Sequence, residues 1–465
     1  MNPMDLASWI ARQKSRSVTA LEFAISATQL IRDRDVFGQT IKPAKGSVLA
    51  SPVIADWNPE PDYFFHWVRD SAIAMRVVAE LMSDAQHQIE RERWRQHFND
   101  FVHFSLEICN LRGADFFDRG DHERRTSPTY RKFLRRPAEI RALGDDDALL
   151  GEPRFNPDGT IDVLQWSRPQ YDGPALRALA CLRYLSAGGA LTDELTSLLH
   201  RDLGFTLRHA SEPCVGPWEE AEALTHHYYV ALVQLGALVR GRNWLGDVMD
   251  DLNRAERLLR ARLDSHWSEA HQVYAAVWPA DAGRAATLID ASTSLAVLEA
   301  DLPDGPHSVL DPRVQKTQQA IEALFAHELP INGTRLAGRA PAIGRYRGDR
   351  YFGGGAWYAT TLAAAEFYFR VACFPQHDHA ASIKRGDEFM STVCDLTPDD
   401  GRLSEQVDRK TGRQRSARDL TWSYAAFVSA ARRRDGAMNC FRLLQAKDRI
   451  DSACRTSGQR PGDVA

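Results

Sequence analysis

The chain has 465 residues, 44% of them hydrophobic and 26% charged, with a net charge of −4, the balance of a globular protein with a substantial core. So small a charge, with no run of five basic residues, argues against nucleic-acid binding, and no apolar stretch approaches the roughly 18–20 residues that a membrane span needs. Its seven cysteines lie far apart with no Cys-x-x-Cys pair, so no metal or redox cofactor is expected, and reduced thiols in a cytoplasm fit best.

In chain order, helical periodicity covers about 5–32, 70–111, 171–210, 220–263, 290–326, 355–394 and 419–449. The first block is no secretory leader: Val18 to Ile31 is broken by Glu22 and follows no basic-then-apolar plan. Between the blocks lie six long irregular stretches, at about 33–69, 112–170, 211–219, 264–289, 327–354 and 395–418. No alternating run of β-branched residues appears, which disfavours a β-rich or βαβ fold. Most blocks read as two helices of different kinds. The first is apolar nearly all round, as in WYATTLAAAEFYF (357–369) and DLTWSYAAFVSAA (419–431). The second is amphipathic, as where Leu252, Ala255, Leu259 and Leu263 step by three and four. A helix apolar on every side has to be enclosed, whereas one with a single stripe lies outside. Alternating inner and outer helices, about twelve in all, predict an all-α fold, the (α/α)6 barrel, with the N-terminal helix completing the last pair. One domain spans 1–450, followed by a short, flexible polar tail at 451–465.

In such a ring the inner helices run parallel, so the loops leading into them open at one end. Long loops in a compact domain usually carry function. Trp57, Trp67, Trp166, Trp218 and Trp278 lie in these loops, with Trp357 and Trp422 just beyond two of them, which makes seven of the eleven tryptophans. Aromatics and fixed charges around one cavity suit a sugar, whose ring faces stack while its hydroxyls take charge-assisted hydrogen bonds.

Each loop segment has a plain reading beside the functional one. In GPWEEAEAL (216–224) the acids can simply open a helix, since a helix N-terminus favours negative charge. Arg69-Asp70 can be a surface charge and an N-cap, and Asp172 and Pro174 can be helix-start chemistry. GRYRGDRYFGGGAWY (344–358), with its arginines, Asp349 and three glycines, suits a pocket wall better than a core. Glu405 stands in a loop where no helix dipole explains it, although loop glutamates are commonly just solvated. Glycoside hydrolysis needs one carboxylic acid at the leaving oxygen and a carboxylate across the ring. Helical neighbours such as Glu219 and Glu220 would diverge by about 100° and cannot be that pair, so the partner of Glu219 is sought in Glu405, 186 positions on.

DYFFHWVRD, RPQYDGPALRA, PWEEAEAL, GRYRGDRYFGGGAWY and LSEQVDRKTGRQRSARDLTWSYAA resemble, in this order, motifs of the glucoamylases, glycoside hydrolase family 15. The opening DLASWIARQ and GSVLASP also resemble the start of a fungal glucoamylase catalytic domain, and the likeness runs from about 5 to 435. It implies an (α/α)6 barrel and an inverting, exo-acting hydrolase that releases β-glucose from α-linked ends. Residue by residue, it implies that Glu219 is the general acid, Glu405 the general base, and Glu220 a sugar ligand on the leaving-group side. Arg69 and Asp70 would grip the terminal glucose and Arg345 would bond substrate. Tyr63, Trp67, Trp166, Tyr351, Trp357 and Trp422 would line or support the pocket; Trp218 and Asp349 complete the sugar-binding set. For Glu219 to hold its proton, burial against Trp218 near Glu220 and Asp70 would have to outweigh the helix terminus.

The match departs from the fungal pattern at Pro217 and at Gly353-Gly354-Gly355, both near the leaving-group sugar, which leaves the preferred linkage open. With no trailing starch-binding domain expected, soluble α-1,4- or α-1,6-linked oligosaccharides are the expected partners. A trehalase-type activity and a non-catalytic sugar-binding relative are the alternatives. Glu405 argues against a phosphorolytic enzyme, which would need no such base.

Overall fold

The computed structural model describes residues 3–56, 59–119, 122–144, 147–220, 223–279, 288–334 and 337–457. Trp57, Ala221, Glu222 and everything past 457 lie outside the described residues. Among the described residues, twelve long helices follow the expected plan: α1 (Pro3–Ala24), α2 (Val68–Asp84), α3 (Gln88–Cys109), α4 (Asp172–Ser186), α5 (Asp193–Arg208), α6 (Tyr228–Arg240), α7 (Met249–Ser265), α8 (Ser292–Ala300), α9 (Pro312–Glu328), α10 (Tyr358–Val371), α11 (His379–Leu396) and α12 (Thr421–Ser457).

Helices α2, α4, α6, α8, α10 and α12 pack each against the next, and α12 closes on α2. The outer partners are α3, α5, α7, α9, α11 and, for α12, the N-terminal α1. This is an (α/α)6 barrel. The cause is visible helix by helix. All nine residues of α8 are buried, and in α10 only Tyr368 is not fully so. In α7 the buried residues are Leu252, Ala255, Leu259 and Leu263 alone, each such leucine contributing about 2 kcal/mol by leaving water.

Three boundaries differ from the sequence reading. The first helix ends at Ala24 and does not run to about 32, where a short strand, Arg32–Arg34, begins. The described residues of GPWEEAEAL, 216–220 and 223–224, stand in no helix, and α6 begins only at Tyr228. Glu219 has φ +62°, a left-handed conformation that cannot continue a right-handed helix. At the C-terminus, α12 runs on through the first residues of the expected tail, as far as Ser457.

The ends of the barrel are built differently. Where the inner helices finish, side chains from all six meet in an ion cluster, buried at Arg76, Glu80, Glu299, Glu366 and Arg370 and partly open to solvent at its edge. Arg76 reaches Glu299 (3.1 Å), Arg183 and Arg370 reach Asp301 (2.7 and 2.8 Å), and Arg370 reaches Glu366 (2.5 Å). Arg240 of α6 also reaches Asp301 (3.1 Å), while Arg432 and Arg433 of α12 approach Glu80 at 3.7 and 3.6 Å. The cluster plugs the axis. At the other end, residues in or just beyond five of the six long loops line a hollow, and none of the described residues of 264–289 is among them.

Candidate active site

Short strand pairs fix the loop geometry. His66–Trp67 pairs with Arg154–Phe155, delivering Trp67 as the residue before α2. Asp70 therefore lies inside the first turn, not at the cap, which Trp67 occupies. Gln406–Val407 pairs with both Ala356–Trp357 and Gln414–Arg415, which sets Glu405 beside the start of α10.

The hollow has a volume of about 130 Å³, and every predicted site residue except Asp349 lines it. Asp349 lies behind the wall, where it accepts from Arg345 Nε (2.9 Å) and Nη2 (2.6 Å) and holds that guanidinium. Trp278 is not in the wall; it stacks on Arg262 and His226. Pro217, where the chain departs from the fungal pattern, and Leu420, which carried no chemical signal in the sequence, join the lining.

Glu219 is held by four donors. Arg69 Nη2 (2.7 Å), Gln170 Nε2 (2.8 Å) and Trp67 Nε1 (3.0 Å) reach one oxygen, and Trp166 Nε1 reaches the other. Its backbone carbonyl accepts from Ser167 Oγ at 2.6 Å. A non-glycine residue in left-handed backbone costs of order 1 kcal/mol and persists where its surroundings over-determine it; here they do. The turn at Glu219 also sends its neighbour elsewhere. Glu220 is bound by Arg345 Nη2 (2.5 Å) and by the Tyr346 hydroxyl, so the two glutamates do diverge, through a loop turn and not a helix.

Glu405 is 2% exposed. Burial pushes its carboxyl up to about 7, against the Ser416 hydroxyl that donates to Oε2 and the nearby Arg345. Asp70 is raised to about 6, chiefly by burial and further by Glu219 and Asp172, with Arg69 opposing. Arg69 itself is tied to Asp172 (2.9 Å) and Gln170 (3.0 Å), so the Asp172 of the helix-start motif does hold a site cation. Aromatic rings complete the wall: Trp218 packs against Trp357 (5.3 Å) and Trp422 (6.4 Å), and Tyr63 against Trp67 (5.0 Å).

Sequence reasoning missed Gln170, Ser416 and Asp290. Gln170 stands in the quoted RPQ motif and was legible there. Asp290 is buried, accepts the Trp218 indole N–H with both oxygens (3.0 and 2.9 Å) and is raised to about 7 by burial; an aspartate before an apolar helix gives no such signal. Among the described residues no cluster of side chains is suited to a metal ion, and no helix is long and apolar enough to cross a membrane. Chemically, the hollow offers a buried carboxyl, Glu405, and a part-buried one, Glu219, on different loops, two fixed guanidiniums and an aromatic lining.

The profile of the family described as Glycosyl hydrolases family 15 matches residues 35–109, 121–380 and 376–432. A glucoamylase of Blastobotrys adeninivorans is 27% identical over 85% of this chain and 68% of its own length. Glucoamylase-1 of Schizophyllum commune is 27% identical over 85% and 70%. Among solved structures, the glucoamylase of Saccharomycopsis fibuligera superimposes with a TM-score of 0.73 at 20% identity, over 94% of this chain and 97% of that one.

Proposed function

The chain belongs to glycosyl hydrolases family 15, and on that premise we propose how its hollow works. The protein is an exo-acting, glucoamylase-type glycoside hydrolase, a glucan 1,4-α-glucosidase, and its substrates are α-glucans. The terminal glucose enters the hollow. Arg69 and Asp70 bind its hydroxyls, the tryptophans and Tyr63 cover its apolar faces, and Arg345 and Glu220 hold the next sugar. Glu219 gives its proton to the glycosidic oxygen as the bond to the anomeric carbon breaks. Glu405 takes a proton from the water that attacks that carbon from the opposite face, so β-glucose leaves and the configuration inverts.

The observation that carries this reading is the convergence of Glu219 and Glu405, 186 residues apart, on one hollow. Soluble oligosaccharides are the proposed substrates. A reducing compartment is supported by free thiols at Cys109, Cys181, Cys214, Cys373, Cys394 and Cys440. Maltose, isomaltose, panose, dextran and trehalose should be incubated in turn and the first product read by proton NMR. β-Glucose from maltose or panose is expected; α-glucose first, or turnover of trehalose alone, overturns the reading.

One observation favours exchanging the two roles: burial brings Glu405 to about 7, while four donors converge on Glu219. Leaving groups separate the assignments. An aryl glucoside whose phenolate departs unprotonated needs no acid, so it should rescue Glu219→Gln and not Glu405→Gln. Rescue of Glu405→Gln alone establishes the exchange.

A further inference from the structure

Arg154 is a buried charge behind the wall of the hollow that the mechanism leaves unused. It is fully buried, on the strand that pairs with His66–Trp67. Its Nε donates to Asp162 (2.8 Å), but Nη1 and Nη2 have no hydrogen-bond partner among the described residues. Three rings surround them instead: the guanidinium carbon lies 3.8 Å from the centre of Trp166, 4.1 Å from Phe65 and 4.7 Å from Trp67. Burying a guanidinium with unmet donors is unfavourable, and a well-packed apolar side chain of similar volume commonly serves a fold at least as well. Packing alone is therefore a poor account of this arginine.

Trp67 and Trp166 are the two indoles whose N–H groups hold Glu219. They stand edge to face, 5.9 Å apart at 74°, so neither ring fixes the other by stacking. A flat cation against both faces limits their tilt. It also draws electron density from the rings, which strengthens each N–H as a donor. Strand pairing locks the arrangement, since Trp67 and Arg154 are register partners.

We propose that Arg154 is a positioning residue for the reaction, acting through Trp67 and Trp166 to keep the Glu219 carboxyl aimed at the leaving-group oxygen. This rests on the assignment of Glu219 as the acid. If it holds, losing the guanidinium impairs leaving-group protonation and spares binding.

Arg154→Met and Arg154→Lys should be compared with the unaltered enzyme and with Glu219→Gln, on maltose and on an aryl α-glucoside that leaves unprotonated. Arg154→Met is expected to lower kcat on maltose by roughly 10²-fold, the scale of a small misplacement of a reacting group. KM should move little, the aryl substrate should lose far less, and the near-ultraviolet circular dichroism of the tryptophans should change. Arg154→Lys, which keeps the charge and loses the flat stack, should fall between. Equal losses on both substrates, or an unchanged kcat on maltose, overturn the proposal. Should the methionine variant not fold, the lysine variant is read by the same ratio of losses. Glu219→Gln keeps the two ideas apart. If it loses maltose activity selectively while the Arg154 variants do not, only the role of Arg154 fails. Full maltose activity in Glu219→Gln instead removes the underlying assignment.

Discussion

At the loop end of the barrel, burial raises the carboxyls of Glu405, Asp70 and Asp290 to about 7, 6 and 7. At the plugged end, Glu366 and Asp301 are enclosed too, and burial again pushes them up. There the surrounding arginines overcome it, Arg370, Arg76 and Arg433 for Glu366 and Arg370, Arg433, Arg240 and Arg183 for Asp301, and hold both at about 2. Glu299 of the same cluster faces Arg76 and Arg370 but also the acids Glu366 and Glu80, and burial raises it. What separates Glu366 and Asp301 from the acids of the hollow is therefore how many cations face each. Several guanidiniums per carboxylate make permanent charges that tie helices together. Fewer cations, partly engaged by other acids, leave carboxyls that exchange protons near neutrality, as acid–base chemistry requires.

The same chemical change should therefore do opposite things at the two ends. The largest expected effect is on turnover: Glu219→Gln and Glu405→Gln should each lower kcat on maltose by roughly 10³-fold, measured by glucose release, with circular dichroism confirming a retained barrel. Next, Glu366→Gln should leave kcat nearly unchanged but destabilise the fold by about 3 kcal/mol in urea denaturation, because Arg370 loses one of its two charged partners, keeping only Asp301, and Arg76 and Arg433 lose a nearby carboxylate. Its folded pKa lies below the ordinary value. The stabilisation is thus present above about pH 4.5 and lost as pH falls towards 2, and the gap between variant and parent should close over that range.

Smaller, and of the opposite sign, is the effect of Glu405→Gln on stability. A carboxyl raised to about 7 favours folding while protonated and opposes it increasingly as pH rises from about 4.5 towards 7. Glu405→Gln should then melt higher than the parent at pH 7.5, by the equivalent of about 2 kcal/mol, and equal it near pH 4. Destabilisation at both pH values would break the contrast between the ends. The mildest test is a pH profile. With Glu405 as base, kcat/KM should fall about tenfold per pH unit below 7. A fall above 7 with a plateau below would instead make Glu405 the acid.

Helix type was legible because it depends on local periodicity: the stripe at Leu252, Ala255, Leu259 and Leu263 and the all-round apolar 357–369 are sufficient to sort outside from inside. The motif residues were legible because several unlike groups stand close together in sequence, as in Trp67, Arg69 and Asp70. What could not be read was set by distant partners. Three acids behind Trp218 suit a helix start on local grounds, yet Glu219 turns left-handed because Ser167, Trp166 and Gln170, some fifty residues earlier, hold its carbonyl and carboxyl. Asp349 looks like a sugar ligand until Arg345 claims both its oxygens.

By itself the chain determined twelve helices, their inward and outward faces and the order of its six loops, since these follow from spacing along one strand of sequence. Which carboxyls carry protons, which tryptophans reach the hollow, and that Arg154 lies against the two indoles bonded to Glu219 were decided only when the ring closed. Burial and charge act through space, and the groups that set them here lie tens to hundreds of residues apart.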